Sequence, residues 1–199
     1  MTAFITRCCR RLAEAIVVLA LSLAPALAGE IGMSGIRLAP AEDGAFVLSA
    51  DFDIEFGQRL EEAVGKGLAL HFVAEFELTR PRWYWLDEKV AVASQTWRLT
   101  YHALTRQYRL STGVLHQSFT SLAEALRVLS RLRHWPVVEA GLLQPGESLF
   151  AALRIRLDIS QLPKPFQVEA LSNKDWVLAA DWKRWNFVVP AVAHGGETK

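Results

Sequence analysis

Asp51, Asp53 and Glu55 stand at alternate positions in the segment from Phe46 to Phe56. Carboxylates in such a row are the residue types of a hard-cation site or of an acid–base pair. Calcium takes about six to eight converging oxygens, whereas three side chains on one face of an extended chain spread over roughly 13 Å. The same face suits cross-strand ion pairs with Arg98, Arg109, Arg154 or Arg156, each worth ~0.2–1 kcal/mol. The sequence favours these pairs. The five histidines, His71, His102, His116, His134 and His194, show neither H-x-x-x-H nor H-x-H spacing for zinc. No serine sits in G-x-S-x-G, and Gly65-Lys66-Gly67 lacks the rest of a phosphate loop. An enzyme would need distant residues such as Asp53, His102 and Arg154 to converge, which their spacing does not indicate. The expectation is a chain without a catalytic centre, a metal site or a cofactor.

Aromatic side chains offer a different chemistry. Arg80-Pro81-Arg82 leads into Trp83-Tyr84-Trp85, and Trp176, Trp182 and Trp185 gather near the C-terminus. Exposed rings beside arginine stack on sugars, lipid head groups or peptides; buried rings fill a core. Burial is expected for Trp97, Trp176 and Trp182. Between Trp83 and Trp85 the alternation of a strand buries only one side, which leaves either Tyr84 or the tryptophan pair exposed. Arg82, Trp83, Tyr84 and Trp85 therefore form the candidate ligand or partner surface.

The elements that must position these residues begin after an export signal. Arg7, Arg10 and Arg11 precede an apolar run from Ile16 to Leu23, and Ala26 and Ala28 match the A-x-A pattern of a signal peptidase site. Cleavage is expected between Ala28 and Gly29. The 13 apolar residues from Ile16 to Ala28 are interrupted by Pro25, short of the ~20 a membrane span requires. Both cysteines, Cys8 and Cys9, fall in this leader, so the exported part has no disulfide or thiolate site. Removing Arg7, Arg10, Arg11 and Glu14 from totals of 22 basic and 21 acidic residues leaves 19 and 20. A net charge near −1 gives no overall field for nucleic acid or an anionic bilayer.

Residues 29–190 then read as one antiparallel, mainly β domain, with a flexible tail over 191–199. Period-two alternation marks strands over Gly35 to Leu38, Phe46 to Phe56, Leu70 to Leu78, Val90 to His102, Arg106 to Leu110, Val114 to Phe119, Leu149 to Ile159 and Trp176 to Trp182. The last could continue to Val189. A short helix is expected over Gln58 to Val64, with Leu60, Ala63 and Val64 inward. A firmer helix starts at the cap Ser121, has Glu124 three residues on, and carries Leu122, Ala125, Leu126, Leu129 and Leu132 on one stripe. Trp135-Pro136 closes it. Leu162-Pro163-Lys164-Pro165-Phe166 reads as an extended connector. One wet and one apolar face per strand is the mark of antiparallel sheets. The fold expected is an antiparallel β-sandwich of about seven to eight strands, with one packed amphipathic helix and one short helix.

Three stretches carry a resemblance. They are Thr100-Tyr101-His102-Ala103-Leu104-Thr105-Arg106-Gln107-Tyr108-Arg109-Leu110, Leu162-Pro163-Lys164-Pro165-Phe166-Gln167, and Asp175-Trp176 with Trp182 and Trp185. Together they resemble the domain-of-unknown-function 4390 family of exported proteobacterial proteins. The resemblance covers nearly all of the exported part. It implies a leader and an association with a membrane sensor kinase, hence an accessory or signalling role, and it brings no catalytic or binding residue with it. The expected function is a non-catalytic periplasmic binding or interaction domain, accessory to an envelope protein such as a sensor kinase. The alternative is a carrier whose sheets part to admit a lipid or sugar against Trp83 and Trp85. An enzyme is the third reading. No nucleic-acid partner and no stable membrane span after cleavage are expected.

Overall fold

A computed structural model describes residues 31–84 and 87–191 of the chain. The leader, Trp85 and residues 192–199 of the tail lie outside the described residues. The alternating segments form β1 (Gly32–Pro40), β2 (Phe46–Asp53), β3 (Leu70–Arg80), β4 (Glu88–His102), β5 (Gln107–Thr112), β6 (Leu115–Phe119), β7 (Arg131–Val138), β8 (Ser148–Leu157) and β9 (Lys183–Val188). Among the described residues three α-helices accompany them: α1 (Gln58–Gly65), α2 (Leu122–Leu129) and α3 (Lys164–Ser172). The strands make two antiparallel sheets, ordered β1-β2-β7 and β6-β5-β4-β3-β8-β9. The molecule is a mainly β, α+β sandwich.

Both sheets contribute to one core. Leu48 of β2 and Phe72, Phe76, Leu78, Leu99, Leu153 and Ile155 of the larger sheet are fully buried in it. Along β3 these alternate with His71, Glu75, Glu77 and Thr79, which face outward. Helix α1 presents Leu60, Ala63 and Val64 to the core as its spacing predicts. In α2 the Ser121 hydroxyl accepts from the Glu124 N–H at 3.2 Å. The Glu124 carboxylate reaches one residue further back than a capping box, accepting from the backbone and hydroxyl of Thr120 at 3.2 and 3.0 Å.

Helix α2 stops at Leu129, and the segment expected to continue it is strand β7, which makes nine strands among the described residues. The cause is a bulge. Leu48 pairs with Trp135 and Ala50 with Leu132, so Arg133 and His134 together oppose Ser49. The extra residue turns Leu132 and Trp135, three positions apart, to the same inner face, and both are buried. His134 occupies the left-handed region with φ 48°, and its N–H donates to the Ser49 hydroxyl at 3.3 Å. Another irregularity lies across β2, where β1 and β2 change register between Ser34 and Arg37. Gly35 adopts φ +59° there, and a Cβ would stand 2.8 Å from a carboxylate oxygen of Asp51.

The other differences lie near the C-terminus. The expected connector is extended only through Pro163; Lys164 and Pro165 open α3. A proline in the first turn removes no helical hydrogen bond, because those N–H groups have no intrahelical partner. The Gln167 amide anchors α3 by donating to the carbonyls of Ser160 and Leu162 at 2.7 and 2.6 Å. Trp176 closes a 3-10 turn, Lys174–Trp176, in place of opening a strand. A single bridge joins Ala179 to Arg156 before β9 begins at Lys183.

Candidate functional site

The hairpin between β3 and β4 carries the candidate surface. Its foot is a cluster of charges set by the strand ends. Arg80 Nη1 lies 2.9 Å from Glu88, Arg80 Nε 2.5 Å from Glu147, and Arg82 Nη2 2.5 Å from Glu88. The hydrogen bond that Arg80 donates to Glu147 is the largest influence raising the Arg80 pKa, and the bonds that Arg80 donates hold Glu147 and Glu88 below the usual glutamate range. Beyond this foot the chain turns at Trp83 and Tyr84. Their rings meet edge to face with centroids 5.1 Å apart, and they are 93% and 68% exposed. The expectation of one buried side fails here because a turn has no alternating faces. Arg82 is exposed as well. Trp85 lies outside the described residues.

The acidic row has different partners from those expected. Asp51 pairs with Arg133 of its own sheet. Arg154 and Arg156 belong to the other sheet and converge on Glu75 of β3. Burial of Glu75 opposes its ionisation, but the hydrogen bonds from both arginines outweigh it and lower its pKa. Arg156 also reaches Asp158 at 3.4 Å, and Asp158 accepts from the Ser160 hydroxyl at 2.7 Å. Asp53, His102 and Arg154, the example of distant residues that could converge in an enzyme, have separate surroundings. Asp53 ends β2 opposite Gly32, His102 ends β4 opposite Gln107, and Arg154 is occupied by Glu75.

Trp97 and Trp176 are buried as expected. Trp182 is not: it lies half-buried on the outward face with the Arg154 guanidinium 4.6 Å from its ring centre. The inward positions pass from Trp176, Leu178 and Ala180 to Trp185 and Phe187, and Trp182 falls at that change of phase. Trp83 projects from a turn, so it lines no space between the sheets, as the carrier reading requires.

Two clefts have no counterpart in the sequence reading. One, of about 690 Å³, lies between α1 and α3 and includes Arg59, Glu62, Phe166, Glu169, Asp175 and Trp176. Arg59 there pairs with Glu169 and stands 3.7 Å from Asp175. The other, of about 340 Å³, opens on the outward face of the large sheet near the β4–β5 turn, among Gly67, Arg98, Thr100, His102, Arg109 and Ser111. Alternation puts Arg98, Thr100 and His102 on one face. Their meeting with Arg109 and Ser111 depends on strand pairing, for which the sequence carries no local signal. Among the described residues no helix is long and apolar enough to cross a membrane.

Comparison with known proteins identifies a family. The model of a family described as Domain of unknown function (DUF4390) covers residues 28–186. No curated protein and no solved structure matches the chain.

Proposed function

The chain belongs to the DUF4390 family, and we propose that it is a non-catalytic binding domain of the periplasm that offers Trp83 and Tyr84 to a protein of the cell envelope. The observation that carries this reading is an exposed aromatic pair held on a braced hairpin. Tryptophan, tyrosine and arginine are the residues most enriched where binding energy concentrates. A foot pinned by Arg80, Arg82, Glu88 and Glu147 limits the ordering that binding would demand. The carboxylates of Glu75, Asp158, Glu88 and Glu147 are each held below their ordinary range. That is the state of structural ion pairs, whereas proton transfer at neutral pH is best served by a group titrating nearby. The leader supports the location, and the resemblance to proteins associated with a sensor kinase supports an accessory role beside such a receptor.

A photo-crosslinking residue in place of Tyr84, activated in intact cells, tests the partner. A reproducible adduct with an envelope protein is expected; recovery of the protein alone overturns the reading. N-terminal sequencing of the periplasmic fraction tests the location. A chain beginning at Gly29 is expected, and an intact leader on cytosolic protein would refute it.

A further inference from the structure

We propose that the outward face of the large sheet, at the end of β4 remote from the aromatic hairpin, holds a binding site for a phosphate group between Arg98 and Arg109. Glu88 and His102, the two ends of β4, lie roughly 45 Å apart at the rise of an extended chain, so this site is physically separate from the hairpin tip.

The placement follows from register. Arg98 pairs with Ser111, Thr100 with Arg109, and His102 with Gln107. Because Trp97, Leu99 and Leu110 point into the core, their neighbours Arg98, Thr100, Arg109 and Ser111 share the outer face as a two-by-two plaque. The cleft above it is lined by these four, Tyr101, His102 and Gly67, with no carboxylate among its lining residues. Among the described residues neither arginine has a carboxylate within ion-pair distance, whereas Arg154 and Arg156 share Glu75.

Two features of the plaque are unfavourable as they stand. Diagonal neighbours on a sheet are ~7–8 Å apart, so the register sets two positively charged side chains next to each other on this face. The Arg109 Nε is buried and has no hydrogen-bond partner, and a buried donor left unsatisfied is destabilising. A phosphate between the arginines relieves both. Guanidinium groups grip oxyanions through paired N–H donors. The Ser111 hydroxyl lies beside them, as does that of Thr100, which among the described residues makes only a long hydrogen bond of 3.5 Å to the Arg109 carbonyl. So many donors exceed what a planar carboxylate can use and suit a tetrahedral anion. The nearby C-terminus of α1 does not oppose it, because the Glu62, Ala63 and Val64 carbonyls already accept from Lys66, Leu68 and Gly67.

The test uses the exported chain and inorganic phosphate, followed by NMR of the arginine Nε–H signals. Saturable shifts at Arg98 and Arg109 are expected. Arg109→Gln should weaken binding at least tenfold. Arg184→Gln, which removes the same charge from a distant strand of the same face, should leave it within twofold. Circular dichroism confirms that both variants fold. Flotation with vesicles containing an anionic phospholipid identifies the source of the phosphate. Co-flotation that depends on Arg109 assigns a lipid headgroup, and binding of free phosphate alone assigns a soluble ligand. Absence of saturable shifts, equal loss in the two variants, or tighter binding of acetate than of phosphate overturns the proposal.

Discussion

Trp83→Ala separates binding from folding, because the side chain that would be lost is almost wholly exposed and packs on the neighbouring Tyr84 ring, away from the core. Trp83 is 93% exposed, so nearly all of its surface is free for a partner. A tryptophan buries up to about 200–250 Å². At ~25 cal/mol per Å² complete burial corresponds to ~5–6 kcal/mol. That figure is a ceiling, since ordering and imperfect contact offset much of it. Truncation at aromatic anchors costs about 2 kcal/mol or more, equivalent to a loss of ~30-fold in affinity. In the free protein the same change should alter unfolding free energy by less than ~0.5 kcal/mol, as exposed substitutions do. The assay pairs urea unfolding with affinity for the partner captured at the hairpin. Leu104→Ala serves as a control, because Leu104 is also fully exposed but sits at the opposite turn of β4. A loss of binding below ~3-fold, an equal loss in the control, or destabilisation above ~1 kcal/mol would refute the reasoning.

Other predictions concern the scaffold. Leu129 is 1% exposed while Leu126 is only partly buried. Leu129→Ala should therefore cost ~2–5 kcal/mol, and Leu126→Ala clearly less; urea denaturation measures both, and equal effects would contradict the packing of α2. Stability should decline with acid in two stages. Burial first, and Arg98 second, lower the His71 pKa below its ordinary 6.5, against an opposing pull from Asp158. The unfolded chain accordingly takes up this proton first, and stability begins to fall as pH drops below 6.5. Glu75, whose folded pKa lies below its ordinary 4.5, contributes stability above that value and loses it as pH falls through the folded pKa. Unfolding followed from pH 7 to acid should show both stages. Glu75→Gln should flatten only the lower one, and an unchanged slope there would refute the assignment.

Local patterns already determined much of this molecule. Strand alternation is imposed by the extended backbone itself, so the core residues of β2, β3, β4 and β8 were legible without a fold. The same holds for the inward face of α1 and for Ser121 as a cap, since each involves neighbours within one turn. Failures arose where tertiary pairing overrode the local period. Leu126, Leu129, Leu132 and Trp135 recur every three residues. The first two do so because α2 is a helix, the last two because a bulge at Arg133 and His134 restores the inner face of a strand. Helix α3 was hidden for the opposite reason. Its Val168 and Leu171 face solvent, so no apolar stripe marks it.

Charge shows the same division. A balanced total of basic and acidic residues was evident from composition, but composition cannot say which charge meets which. Strand order joined Glu75 to Arg154 and Arg156 and left Asp51 to Arg133. It also set Arg98 and Arg109 side by side on one face, with no carboxylate within ion-pair distance among the described residues. The aromatic run at Trp83 and Tyr84 could be read directly from the sequence; its exposure was decided by the turn and by the ion pairs at its foot. Contacts between residues distant in the chain depend on register and sheet order, and these are properties of the whole fold.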